Sequence, residues 1–129
     1  MYCLDANVLL TAWYVTYPPR IFAPLWELLA ANHQKMVLIR PVFDEIEPIS
    51  SSDRRLDPVT RSTKYPLRSW IENTGFTIAE IDEEVSNLSL RLEYSYEVAA
   101  ESKGASQVDI TLIAYAKRNE GTVVTLEGY

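Results

Sequence analysis

The chain begins with MYCLDANVLL, residues 1–10, in which an apolar run passes into polar residues and then into regular apolar spacing. Tyr2–Leu4 is predicted to be a short buried strand, because it is too apolar to alternate between a core face and a solvent face. Asp5 and Asn7 follow at the point where this strand would pass into a helix. In an open α/β sheet, ligands bind in the crevice beyond the carboxyl ends of the strands. Asp5 is therefore either a functional carboxylate or only a helix cap, a position that Asp and Asn both favour.

Size and composition limit the class of protein. With 129 residues and a hydrophobic fraction of 47%, the chain is predicted to form one domain, residues 1–129, with a substantial core. No apolar run approaches the ~20 residues that cross a bilayer, so we expect no membrane partner. The single cysteine cannot form an internal disulfide, which fits a cytoplasmic protein.

The charge balance limits the kinds of site. A net charge of −6 argues against loose binding of nucleic acid by the whole surface, but it allows an acidic site that reaches nucleic acid through a bound cation. A single histidine makes a Ser/His/Asp triad or a histidine-rich zinc site difficult to build.

Short apolar runs alternate along the chain with longer stretches of helical periodicity. The predicted strands are 2–4, 36–39, 76–81 and 122–126, and the predicted helices are 6–16, one beginning near Pro24, 41–46, 65–73, 82–102 and 108–119. Leucines in 82–102 also alternate as in a strand, but a helix is preferred because the segment is ~20 residues long and rich in Glu and Ala. This alternation predicts a three-layer, Rossmann-like α/β fold with a central four-stranded parallel sheet flanked by helices.

Two acidic residues stand out on predicted helices. Asp109 lies within roughly 40° of the centre of an apolar stripe that includes Leu112 and Ile113. Ser106 three residues earlier resembles the first residue of a capping box, which gives Asp109 an alternative, structural role. In the helix after Pro41, Glu45 is the acid best placed to lean toward the end of the sheet, at roughly 90° from its apolar stripe.

A fourth acid, Glu127, comes just after the last predicted strand, in the same kind of position as Asp5. Its alternative role is that of an acid in a frayed C-terminus. If the strands are parallel, Asp5, Glu45, Asp109 and Glu127 meet at one edge of the sheet. Carboxylates brought together repel one another unless a cation is present. Mg²⁺ or Mn²⁺ takes such oxygen ligands and is often bridged to substrate phosphates.

Further polar residues are expected around such a centre. In two-metal sites, with the ions ~4 Å apart, one ion activates a water and the other stabilises the leaving oxygen of a phosphodiester. Asn7 and Thr125 are predicted to hold waters or to orient the carboxylates. Five of the twelve basic residues lie between positions 54 and 68: Arg54, Arg55, Arg61, Lys64 and Arg68. This basic stretch is either a solvated surface or a groove that meets a phosphate backbone, with Arg54 and Arg55 as candidate contacts.

These motifs, taken in order, resemble those of the PIN-domain family. The opening signature matches Leu4-Asp5-Ala6-Asn7-Val8-Leu9, and the second acid matches Glu45 within Pro41-Val42-Phe43-Asp44-Glu45-Ile46. The third motif matches the eight residues from Asp109 to Ala116, and the last matches Val123-Val124-Thr125-Leu126-Glu127. Each piece is weak alone, but four in the family's order are fairly specific.

The resemblance implies a PIN fold and a Mg²⁺- or Mn²⁺-dependent nuclease centre formed by the four acids. In small prokaryotic members it implies an endoribonuclease toxin of the VapC-like kind, a homodimer that hydrolyses RNA and that a cognate antitoxin protein neutralises by blocking the acidic pocket. Two departures stand out. Similar PIN domains continue past the last acid, whereas this sequence ends two residues beyond Glu127, so a shortened form is expected. Residues 50–74 also differ from shorter members.

Two other functions compete with this interpretation. The same fold could be a catalytically inactive PIN-like module that binds RNA or protein. A phosphotransfer domain is disfavoured, because a haloacid-dehalogenase-like phosphatase needs Asp-x-Asp where this chain has Asp5-Ala6-Asn7. A response-regulator receiver needs paired acids near its first strand and a lysine after a late strand, and the sequence has neither pattern.

Overall fold

Four short apolar runs build the sheet: β1 (Tyr2–Leu4), β2 (Met36–Ile39), β3 (Thr77–Ala79) and β4 (Thr122–Val124). All pairings are parallel, and the strand order is β3-β2-β1-β4. The computed structural model describes residues 1–46, 67–99 and 106–126. β1 and β2 agree with their predicted bounds, and the side chains of Cys3, Leu38 and Ile39 are completely buried.

Six α-helices in the described residues flank this sheet: α1 (Ala6–Thr11), α2 (Ala23–Ala31), α3 (Arg40–Glu45), α4 (Leu67–Thr74), α5 (Glu83–Ala99) and α6 (Gln107–Arg118). A π-helical segment (Ala12–Thr16) continues α1, and a 3₁₀ turn (His33–Lys35) precedes β2. The predicted three-layer, Rossmann-like α/β fold is thus confirmed. The choice of helix over strand for the leucine-rich segment is also confirmed, since α5 covers it. None of the helices within the described ranges is long and apolar enough to cross a membrane.

The order of the strands reverses beside β1. The chain moves outward from β1 to β2 and β3, and then returns to the other side of β1 as β4. β1 is therefore central and pairs with both β2 and β4. In open α/β sheets, the crevice at the carboxyl ends of two strands where the order reverses is the usual ligand site. The residues that follow Leu4 and Val124 are therefore the first candidates for a ligand site.

Two strands are shorter than their apolar runs predict. β4 was expected to reach residue 126 but ends at Val124, because its partner β1 ends at Leu4, the residue paired with Val124. β3 was expected to span 76–81 but ends at Ala79, because its partner β2 ends at Ile39, where α3 begins. β3 and β4 are the edge strands of the sheet, and an edge strand cannot extend beyond the one neighbouring strand that supplies its hydrogen bonds.

The first helix differs from its prediction in a similar way. The apolar spacing predicted a single helix over 6–16, but α1 ends at Thr11 and the chain widens into the π-helical segment. Trp13 in this segment is buried, and its ring centroid lies 4.9 Å from that of Trp26 and 5.5 Å from that of Trp70. Trp26 and Trp70 are also in contact, with centroids 5.1 Å apart. The three indoles form one cluster, which we call the tryptophan cluster.

Gly121, just before β4, lies too close to β1 to carry a side chain. A Cβ at this position would lie 2.8 Å from the Cys3 Sγ and 3.2 Å from the terminal methyl of Met1. Cys3 is completely buried, and this burial raises the pKa of its thiol, so the sulfur is a small apolar group in the core. The absence of a side chain at Gly121 therefore allows β4 to approach β1.

We expect Gly121→Ala to lower the free energy of unfolding by about 1–3 kcal/mol, because the added methyl overpacks a site that cannot expand freely. Urea unfolding checks this. In a Cys3→Ala background, which removes the sulfur, the same substitution should cost clearly less. Equal costs in the two backgrounds would show that the contact with Cys3 is not the cause.

Candidate functional site

Asp5 lies directly beyond the carboxyl end of β1 and is only 4% exposed. Its backbone N–H donates to the Val124 carbonyl at 3.0 Å, which ties Asp5 to the end of β4. Its Oδ1 accepts a hydrogen bond from the N–H of Ala6 at 2.8 Å, which confirms the predicted cap of α1. Its Oδ2 accepts a hydrogen bond from the Thr125 hydroxyl at 3.1 Å. A buried carboxylate needs such donors, and both of its oxygens have one.

Asp109 lies in the first turn of α6 and forms the capping box that its spacing from Ser106 suggested. The Asp109 N–H donates to the Ser106 Oγ at 3.1 Å, and the Ser106 N–H donates to the Asp109 Oδ2 at 3.1 Å. The side chain is half-buried, as expected for an acid at the edge of an apolar stripe. Its Oδ1 accepts no hydrogen bond from the residues that the structure describes. The cap therefore uses one carboxylate oxygen and leaves the other for a ligand.

Asp5 and Asp109 line one shallow pocket of about 50 Å³ at the reversal of the strand order. The other residues that line it are Leu112, Ile113, Val123 and Thr125. Two carboxylates from opposite ends of the sequence thus share a small space, with an apolar wall beside them. The lining thus combines two carboxylates and a hydroxyl with apolar side chains.

The other predicted site residues do not line this pocket or are not described. Glu45 is the last residue of α3 and is exposed, and Asn7 is exposed in the first turn of α1. Glu127, Arg54 and Arg55 lie outside the described residues. Within 1–46, 67–99 and 106–126, no three His, Cys, Asp or Glu side chains are grouped closely enough to hold a metal ion by themselves. The site therefore contains two of the four predicted acids, and the roles of the other two stay predictions.

The donor set fits a hard divalent cation. Mg²⁺ is commonly bound through one or two carboxylates, with waters and substrate phosphates completing its coordination, rather than through an all-protein cage. The side chains of Asp5, Asp109 and Thr125 carry only oxygen as ligand atoms, which would suit Mg²⁺ or Mn²⁺. A cation between two carboxylates would also offset their mutual repulsion.

Arg68 has a role that the sequence did not reveal. Its Nη1 donates to the carbonyls of Phe43 at 3.4 Å and Ile46 at 3.3 Å, and its guanidinium lies 4.1 Å from the centroid of the Phe43 ring. Phe43 lies in the last turn of α3 and Ile46 directly follows the helix, where backbone acceptors exceed the backbone donors within reach. Arg68 was assigned from the sequence to the basic stretch 54–68. In the structure its guanidinium donates hydrogen bonds to the C-terminal end of α3, the helix that carries Glu45. Only a contact between residues distant in sequence shows this.

We expect the Thr125–Asp5 hydrogen bond to couple β4 to α1 energetically. Thr125→Val and Asp5→Asn should each lower the free energy of unfolding, and a double-mutant cycle should give a coupling of about 1.5 kcal/mol or more, as for hydrogen bonds to charged groups. Chemical denaturation of the four proteins provides the measurement. Additive effects would show that the bond contributes nothing to stability.

Comparison with known proteins places the chain in a family. No curated protein matches the sequence significantly. A family model described as "Domain of unknown function (DUF4411)" matches residues 2–129, which include both acids of the pocket and all four strands. The chain therefore belongs to the DUF4411 family.

Proposed function

We propose that this protein is a Mg²⁺- or Mn²⁺-dependent endoribonuclease of the PIN type, which hydrolyses RNA phosphodiester bonds. The observation that carries the proposal is the shared pocket of Asp5 and Asp109 at the reversal of the strand order. Structural caps alone do not require two acids from distant segments to share one pocket. The order of the four sequence motifs and the oxygen-only donor set support the same chemistry.

The chain's own residues prepare the site before a ligand arrives. A carboxylate has about four lone-pair positions for hydrogen bonds or ligation. Asp5 uses one on each oxygen, for Ala6 and Thr125, and Asp109 uses one for Ser106. Both acids therefore keep ligating capacity while their orientations are fixed, which lowers the cost of organising the site. When bound, a divalent ion supplies a more acidic water and offsets the charge on the phosphate oxygens.

Residues outside the pocket are proposed to complete it. Glu45 and Glu127 would add carboxylates to the ion's coordination, and Asn7 would orient a water or a phosphate oxygen. Arg54 and Arg55 would contact the RNA backbone, which binds guanidinium groups through its phosphates. Leu112 and Val123 add apolar side chains to the lining beside the two acids.

The biological setting is proposed from the resemblance to VapC-like proteins. In this setting the protein is the toxin of a toxin–antitoxin pair, acts as a cytoplasmic homodimer, and is neutralised by a cognate antitoxin. An open acidic pocket suits this kind of control, because a basic side chain of a partner protein would pair with both carboxylates and displace the ion.

We expect Asp5→Asn and Asp109→Asn to lower the rate of Mg²⁺- or Mn²⁺-dependent cleavage of single-stranded RNA by about 100-fold or more, because each removes a charge that acts on the reacting phosphate. Asparagine keeps the side-chain carbonyl that accepts the capping hydrogen bond, so both variants should remain folded. Cleavage of a labelled RNA by the purified chain measures the effect.

Asp82→Asn is the matched control for this experiment. Asp82 also caps a helix, since its Oδ1 accepts a hydrogen bond from the N–H of Val85 at 2.8 Å, but it does not line the pocket. This variant should cleave RNA at the wild-type rate. The same assay with Glu45→Gln and Glu127→Gln tests whether these acids belong to the centre. Unchanged activity in both Asp5→Asn and Asp109→Asn would refute the proposal.

We expect the wild-type chain to bind Mn²⁺ in a calorimetric titration, with binding lost or much weaker in Asp5→Asn, because the carboxylate charge holds the ion. This titration separates the enzyme from the alternative, a PIN-like module that binds RNA or protein without catalysis. Equal heats for wild type and Asp5→Asn, together with RNA binding but no cleavage, would favour the inactive module.

A further inference from the structure

A narrow exposed strip runs along α6 away from the acidic pocket. From Ile110 to Ala116 the helix is buried or half-buried at every position except Ile113, whose side chain is 45% exposed. Ile113 was expected to belong to the apolar stripe that faces the core, yet it is exposed and lines the pocket. Ile113 therefore presents an apolar surface next to the two acids.

The strip has an order along the helix. Asp109, Ile113 and Lys117 are separated by four residues each, so successive side chains lie about 6 Å apart along the helix axis. The strip thus passes from an acid through an apolar surface to a cation. Lys117 is exposed and makes no ion pair with the described residues, whereas the neighbouring Arg118 donates to the Glu84 Oε2 at 2.6 Å.

We propose that this strip, Asp109–Ile113–Lys117, is the path of a single-stranded RNA substrate. The inference rests on the proposed function and deepens it, because it assigns contacts on either side of the reacting phosphate. With that phosphate at the two acids, the base or ribose of the adjoining nucleotide lies against Ile113, and a phosphate further along the strand pairs with Lys117.

The chemistry of the strip favours this occupant. Nucleobases have apolar faces that pack on exposed side chains when they are unstacked, as they are in single strands and not in duplexes. An aliphatic side chain makes no directional hydrogen bond, so Ile113 would accept any base. A lysine that forms no ion pair within the described ranges, on a chain with a net charge of −6, is suited to a phosphate. The spacing of about 6 Å per helical step is similar to the spacing of phosphates along an extended strand.

Binding measurements on the Asp5→Asn chain, which prevents cleavage, test the path. The probes are a fluorescent single-stranded RNA of about ten nucleotides and an oligomer of the same length made only of abasic ribose phosphates, both in EDTA, because Asp5→Asn is expected not to hold the ion and Mg²⁺ would alter the salt dependence. Ile113→Ala should weaken binding of the RNA about fivefold and leave binding of the abasic oligomer unchanged. Lys117→Gln should weaken binding of both, and it should reduce the slope of log Kd against log salt concentration by about 0.7, the value for one phosphate contact on a single strand.

Two control variants match the test variants in chemistry but lie elsewhere. Leu90→Ala removes an apolar side chain that is 62% exposed on α5, and Lys35→Gln removes a cation beside the amino end of β2, opposite the pocket. Both should bind RNA as the parent does. Unchanged Kd values in Ile113→Ala and Lys117→Gln would overturn the path and would assign the strip to a protein partner. Equal losses for RNA and abasic oligomer in Ile113→Ala would overturn the base contact.

Failure of the path and failure of the proposed function give different results. If the wild-type chain neither binds nor cleaves RNA, both the proposed function and the proposed RNA path are wrong. If the wild-type chain cleaves RNA and both strip variants bind it as the parent does, only the path is wrong.

Discussion

One carboxylate ends a strand, begins a helix and holds a second strand. The Asp5 side chain accepts hydrogen bonds from Ala6 in α1 and from Thr125 beyond β4, while its backbone N–H pairs with Val124. Because it is 4% exposed, these donors take the place of water around a charge that is costly to bury. The end of β1, the start of α1 and the end of β4 therefore depend on the same few atoms, and so does the geometry of the pocket.

The same arrangement joins stability to the proposed activity. Asp5 and Asp109 each contribute to folding through a cap, and each lines the pocket where a cation would bind. In the proposed function, a cation in this pocket would offset repulsion between the two acids and would stabilise the folded chain. Fixing each carboxylate with backbone donors allows the fold to tolerate this repulsion and keeps the ligands oriented.

Much of the fold could be predicted from local sequence, because the residues that directly follow β1 and β2 start helices and so end these strands. Asp5 begins α1 and Arg40-Pro41 begins α3, so the apolar runs before them show the true strand bounds. The ends of β3 and β4 could not be predicted in this way, since they are set by neighbours far away in the sequence. The π-helical segment carries Trp13 of the tryptophan cluster, and apolar spacing does not distinguish such a segment from an α-helical face.

The candidate site was predictable to a similar degree. Helical geometry and the position of a strand end were enough to select Asp109 and Asp5, and the pocket brings these two acids together. The exposure of Ile113 was not predictable, because an apolar residue beside a buried stripe is ordinarily taken to be part of it. The role of Arg68 was hidden by its basic neighbours, since charge clusters indicate surfaces and give no information about which helix end a guanidinium contacts.

The tryptophan cluster has a consequence for spectroscopy. All three tryptophans of the chain lie in it, with ring centroids 4.9 to 5.5 Å apart. At such separations excitation passes rapidly between indoles, so ultraviolet emission reports on the cluster as a whole. The emitting groups belong to the π-helical segment, α2 and α4, and none of them lines the acidic pocket. Intrinsic fluorescence of this protein therefore measures the docking of those three elements, and a ligand in the pocket needs an extrinsic label to be seen.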